Sequence, residues 1–98
     1  MSVYYIGNYD IHDRVAFAAY PAGVLALLPE YGGRVLASDT EPRLVEGTAR
    51  SIHAIIEFPS AAAALALYAA PAYQPLKQLR QASTHNVSMV LVRPFDVA

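Results

Sequence analysis

Cysteine and tryptophan are absent from this 98-residue sequence, and charged residues make up only 15% of it. Without cysteine there is no disulfide framework and no thiolate metal site, so burial alone must hold the chain together. Seven Lys and Arg stand against eight Asp and Glu, a formal net charge of −1. That balance leaves no basic excess to neutralise phosphates, and no nucleic-acid partner is expected. Long apolar runs are missing as well. The longest covers residues 61–73, thirteen in all, and contains Pro71. A membrane span needs about 20 apolar residues, so this run reads as a buried helix and no membrane partner is expected. No basic residue precedes Arg14 and no secretory apolar segment follows Met1; a cytoplasmic location is the expectation. No nucleophile elbow, phosphate loop, dinucleotide fingerprint or metalloprotease helix occurs. His12, His53 and His85 are scattered without ligand spacing, so neither a metal nor another cofactor is expected. Composition assigns no reaction.

What is present is apolar: 55% of residues are hydrophobic and seven are tyrosines. Disorder is excluded, and the length suits one domain over residues 1–98. A chain this small buries only about 60–65% of its unfolded surface, and this one offers more apolar surface than one small core consumes. Residues 3–11 (VYYIGNYDI) alternate as a strand, with Tyr4, Ile6, Asn8 and Asp10 on one face and Tyr5, Gly7, Tyr9 and Ile11 on the other. Asp13 is placed to cap a helix reaching Tyr31, with Phe17, Tyr20, Val24, Leu27, Leu28 and Tyr31 as its stripe. Pro21 and Pro29 interrupt it and Gly32-Gly33 end it. Residues 34–38 and 43–46 read as one bent strand, or as an edge strand followed by an excursion. Residues 50–58 (RSIHAIIEF) form the clearest strand, and Ser60 caps a second helix that restarts at Pro71 and runs to Ser83. Residues 86–93 form the last strand.

The order β-α-β-β-α-β in under 100 residues predicts an α+β, ferredoxin-like sandwich: a four-stranded antiparallel sheet, spatial order 4-1-3-2, with both helices on one face. The other face would carry Tyr4, Ile6, His53, Ile55, Val90 and Val92, too apolar for water. A homodimer through that open sheet face is therefore expected.

Several segments carry a resemblance. Tyr31-Gly32-Gly33-Arg34-Val35-Leu36, Val45-Glu46-Gly47, Ile56-Glu57-Phe58-Pro59-Ser60, Tyr68, Pro71-Ala72-Tyr73-Gln74, Arg80 and the strand 88–92 together resemble the domain-of-unknown-function 1330 family of the dimeric α+β barrel superfamily. The resemblance spans nearly the whole chain. It implies a ferredoxin-like protomer and a homodimer with sheets packed face to face, and brings no established reaction. The sequence departs from the family pattern at Thr48-Ala49, where an aromatic residue is usual, at His53 in the third strand, and at Ala72, where Glu is usual.

Among chemistry-bearing residues, Glu57 and His53 are the candidate catalytic pair. They share one face of a central strand, four residues apart, so their Cβ atoms stand about 13 Å apart. Burial would raise the carboxyl toward acid–base use, and imidazole titrates near neutrality. The plainer readings are an ion pair that fixes the strand end and a hydrogen-bonded core histidine. Asn8 and Asp10 are candidates to orient a polar ligand or to satisfy the dimer seam. Tyr4, Tyr68 and Tyr73 could line a pocket. Arg50 and Arg80 are candidates for a ligand carboxylate, with surface pairing to Glu46 and Glu57 the plainer alternative. Two functional classes follow: a protein that binds or transforms a small organic molecule beside the sheet, or a noncatalytic dimeric interaction module with no such site.

Overall fold

The computed structural model describes residues 2–96. Strand β1 (Val3–Ile11) is followed by α1 (Arg14–Phe17), α2 (Tyr20–Leu27) and a 3₁₀ turn over Leu28–Tyr31. Then come β2 (Arg34–Asp39), β3 (Ile52–Phe58), α3 (Ala61–Ala69), a 3₁₀ turn over Pro71–Tyr73, α4 (Gln74–Ser83) and β4 (Thr84–Val92). The sheet order is β2-β3-β1-β4, antiparallel throughout. This is the expected ferredoxin-like arrangement, with β1 and β3 at its centre.

The expected helix from Asp13 to Tyr31 is instead broken, and proline explains where. A proline ring clashes with the carbonyl four residues earlier and removes one donor. For Pro21 that carbonyl belongs to Phe17, the last residue of α1; Pro21 itself sits in the first turn of α2, where its missing N–H costs nothing. Pro29 likewise opens the 3₁₀ turn. Asp13 caps α1 through its side chain at 3.0 Å from Ala16 N, and Ser60 caps α3 by accepting from Ala63 N at 3.0 Å. Gly32 closes the 3₁₀ turn at φ 70°, a left-handed conformation that glycine adopts without a Cβ clash.

Residues 43–46 lie outside the sheet, so β2 is an edge strand followed by an excursion. Leu44 and Val45 are exposed there. β2 carries a bulge between Val35 and Ala37, a common way to blunt an exposed edge. β4 begins two residues earlier than the sequence suggests, because a second irregularity opposite Asn8 and Asp10 absorbs Asn86 at φ 55°. Asparagine tolerates that conformation better than most residues.

The core is one-sided. Val3, Tyr9, Ile52, Ile56 and Phe58 from the sheet pack against Phe17, Tyr20, Leu28, Ala64, Leu67, Ala70 and Tyr73. On the opposite face Tyr4, Ile6, Asn8, His53, Ile55 and Glu57 are half-buried, and Val90 and Val92 are exposed. No helix among the described residues is long and apolar enough to cross a membrane.

Candidate functional site between sheet and helices

The side of β1 that faces the helices sets the chemistry of the interior. Tyr5 lies along the strand over Gly7, where any Cβ would overlap its ring and hydroxyl. Glycine at position 7 thus gives the phenol room. Tyr9 stacks on Phe17 (5.8 Å between ring centroids), Phe17 on Tyr20 (5.4 Å), Tyr20 on Tyr73 (6.3 Å), and Tyr73 on Tyr68 (5.6 Å). Beside this aromatic row lies a cavity of about 250 Å³, walled by Tyr5, Tyr20, Tyr68 and Tyr73 with aliphatic side chains of α3, β3 and β4. Among its wall residues Leu65, Tyr68, Val90 and Leu91 are exposed and mark the mouth. Lys77 sits over the Tyr68 ring at 4.5 Å, a cation–π contact that braces this rim.

Polar groups in the wall are few and convergent. The Tyr20 and Tyr73 hydroxyls share a buried hydrogen bond of 2.7 Å. Burial pushes the Tyr5 and Tyr20 phenols well above their ordinary pKa, reinforced by neighbouring tyrosines, and pushes Tyr9 up to about 12. Tyr5, Tyr9 and Tyr20 therefore stay protonated and act as neutral hydroxyls. Arg80, on α4, is only 2% exposed. Burial works against its charge, but the Tyr73 and Tyr20 hydroxyls facing it hold the guanidinium above its usual pKa. Its helix is anchored to the end of β1: the Ser83 carbonyl accepts from His12 N at 3.0 Å and Asp13 N at 3.3 Å.

Of the residues singled out from sequence, Tyr68 and Tyr73 line this cavity. Tyr4 projects from the open sheet face instead, opposite Glu57 on β3. Glu57 and His53 also occupy that open face, with the sheet between them and the helices. Glu57 accepts from Arg34 Nη2 at 2.7 Å, the strand-end ion pair of the plainer reading. The arginine is Arg34, directly opposite on β2, and neither Arg50 nor Arg80. His53 faces Asn8 across the β1–β3 ladder, and its Nε2 is shielded from solvent with no hydrogen-bond partner among the described residues. Asp10 accepts from Ser51 N (3.0 Å) and Asn86 Nδ2 (2.9 Å). Together with Asn86, Ser51 and the nearby charge of Arg50, these contacts hold its carboxyl below the usual range. Arg50 thus sits beside Asp10 rather than in the cavity wall.

Surface pairing of Arg80 does not occur: the residue is buried under the tyrosines. Its signal in the sequence was the seven-residue interval from Tyr73, two helical turns that put both on one face. Tyr5 and Tyr20 were legible only as core. His12 and His85, distant in sequence, meet Nδ1 to Nδ1 at 3.1 Å on the surface. No group of three or more His, Cys, Asp or Glu side chains among the described residues could hold a metal ion.

This architecture defines a ferredoxin-like α+β protein with a tyrosine-walled chamber between its layers. The chain belongs to the family described as a domain of unknown function (DUF1330), whose model matches residues 2–95. No curated protein gives a significant match. Among solved structures, a Rhodopseudomonas palustris protein of unknown function superposes with a TM-score of 0.82 at 18% identity, covering 97% of this chain and 83% of that one. A dimeric ferredoxin-like protein of unknown function from Jannaschia sp. CCS1 gives 0.76 at 16% identity, covering 96% and 100%. SnoaB, a cofactor-independent oxygenase from Streptomyces nogalater, gives 0.73 at 14% identity, covering 98% and 95%. At these identities the likeness concerns the fold.

Proposed function

We propose that this protein is a homodimer whose protomers each bind a small, flat, largely apolar organic molecule in the chamber between sheet and helices. The observation that carries the reading is the cavity itself: about 250 Å³, apolar in most of its wall, with tyrosine hydroxyls converging at one side. Binding pockets have this composition, and a volume just below the usual range of roughly 300–1,000 Å³ suits a one- or two-ring ligand. That SnoaB, which shares the fold, is a cofactor-independent oxygenase supports a small-molecule role for a chain of this architecture. One fold hosts many activities, so no reaction is assigned here.

The dimer rests on the open sheet face. Tyr4, Ile6, Ile55, Val90 and Val92 form an apolar surface that a second copy would cover. Two solved neighbours described as dimeric and ferredoxin-like support it. In that arrangement Asn8, His53 and Glu57 lie within the seam.

A thermal-shift series of phenols, benzoates and naphthalenes tests the ligand reading. A ligand that binds only the folded state stabilises it by RT ln(1 + [L]/Kd), about 2.7 kcal/mol at a hundredfold excess over Kd. The expected result is a rise in melting temperature for several one- and two-ring compounds, lost in Leu65→Trp, which plugs the mouth while staying on an exposed position. Absence of any shift across the series, or shifts unaffected by the plug, would refute the site.

A further inference from the structure

The buried arginine behind the tyrosine pair gives the chamber a charge preference. Arg80 is 2% exposed, and among the described residues its Nε has no hydrogen-bond partner and no carboxylate forms an ion pair with it. Buried charges in proteins are ordinarily matched by an opposite charge. Here the groups facing the guanidinium are the hydroxyls of Tyr73 and Tyr20, both of which belong to the cavity wall.

The hydrogen-bond arithmetic points the same way. Arginine only donates. The two hydroxyls share one bond, so one proton of the pair is spent and the other remains, whichever phenol is the donor. The cluster thus holds more donors than acceptors, in side chains that line the cavity. An acceptor completes it, and a negatively charged acceptor also balances Arg80.

We propose that the chamber's ligand is a flat organic oxyanion, a phenolate, enolate or carboxylate on an aromatic frame, whose charged oxygen accepts from the Tyr20–Tyr73 pair with Arg80 as the counter-charge behind it. This rests on the chamber being a binding site and adds the ligand's charge. Arg80 acts through the two hydroxyls, as a positioning residue: it fixes which way their protons point and makes negative charge favourable in front of them.

The test uses the full chain and 4-nitrophenol, whose neutral and ionised forms absorb differently. With the unaltered protein in excess, the bound dye should ionise about one pH unit lower than the free dye, since each tenfold preference for the anion moves the midpoint by about one unit. Benzoate should likewise bind at least about tenfold tighter than benzamide, its neutral isostere. In Arg80→Gln the benzoate advantage should vanish, and Arg80→Lys should recover part of it. An unchanged or raised dye midpoint, or equal binding of benzoate and benzamide, overturns the charge preference while leaving the chamber as a site. Failure of every probe to bind overturns both. Should Arg80→Gln not fold, the dye midpoint of the unaltered protein decides alone.

Discussion

At the far end of β1 a single carboxylate ties three stretches of chain together. Asp10 accepts from the backbone of Ser51, just before β3, and from the side chain of Asn86, in the irregular turn of β4. Those bonds favour the ionised form, which is why its pKa lies below the ordinary value of 3.8. A carboxyl with a depressed folded pKa stabilises the protein above the unfolded pKa, and that contribution is lost as pH falls through the folded value. Asp10→Asn keeps one acceptor for Ser51 but sets an amide donor against the Asn86 amide. Its melting temperature should therefore lie below the parent's at neutral pH. The gap should narrow once pH drops below roughly 4, where the parent loses the same interaction. Parallel thermal melts at pH 7 and pH 3 (roughly, bracketing that range) measure it; a gap that stays constant with pH would show that the charge contributes nothing.

At the level of elements, short-range signals decided which predictions held. β1 was legible because six of its nine residues (Val3, Tyr4, Tyr5, Ile6, Tyr9 and Ile11) are β-branched or aromatic. Ser60 announced α3 because a hydroxyl immediately before an alanine run can satisfy an orphan N–H three residues on. Ser60→Ala should accordingly cost about 1 kcal/mol, a fall of roughly 4–8 °C in the melting temperature of a chain this size; a shift within error would mean another group caps α3. Harder to read were features fixed across long sequence separations. The bulge at Asn86 answers to its pairing with β1 and to Asp10, seventy-six positions away. Arg80 looked like a surface residue because arginine usually is one. Only the docking of α4 beside the tyrosines of β1, α2 and the 3₁₀ turn at Pro71 shows it buried. The candidate pair Glu57 and His53 shared a face as their even spacing required, but which layer covers that face is a property of the whole sheet.

As a whole the molecule is a slab, 42 × 37 × 17 Å. Its thickness leaves room for one sheet and one helical layer, the two-layer construction expected of a domain this size. One apolar sheet face has no covering layer among the described residues, and a second copy is the proposed cover. Ile55 sits near the middle of that face, opposite Ile6 on β1 and Ala37 on β2. A carboxylate there would have to be buried without a partner in the dimer, at a cost of several kcal/mol. Ile55→Glu should therefore sediment as a monomer at concentrations where the parent sediments as a dimer. A parent that is already monomeric at micromolar concentration would remove the seam altogether.

The pleat of β1 places two different jobs on alternate residues of the same nine. Tyr4, Ile6 and Asn8 look toward the open face, while Tyr5, Gly7 and Tyr9 look into the tyrosine-lined interior. Descendants of this sequence can therefore change what they hold without altering whom they pair with, because odd and even positions answer to separate pressures. The backbone between them is common property, however. A substitution that flexes β1 to suit a new guest also moves the neighbouring side chains on the far side, so tolerance for novelty in one role is bounded by the stiffness the other demands.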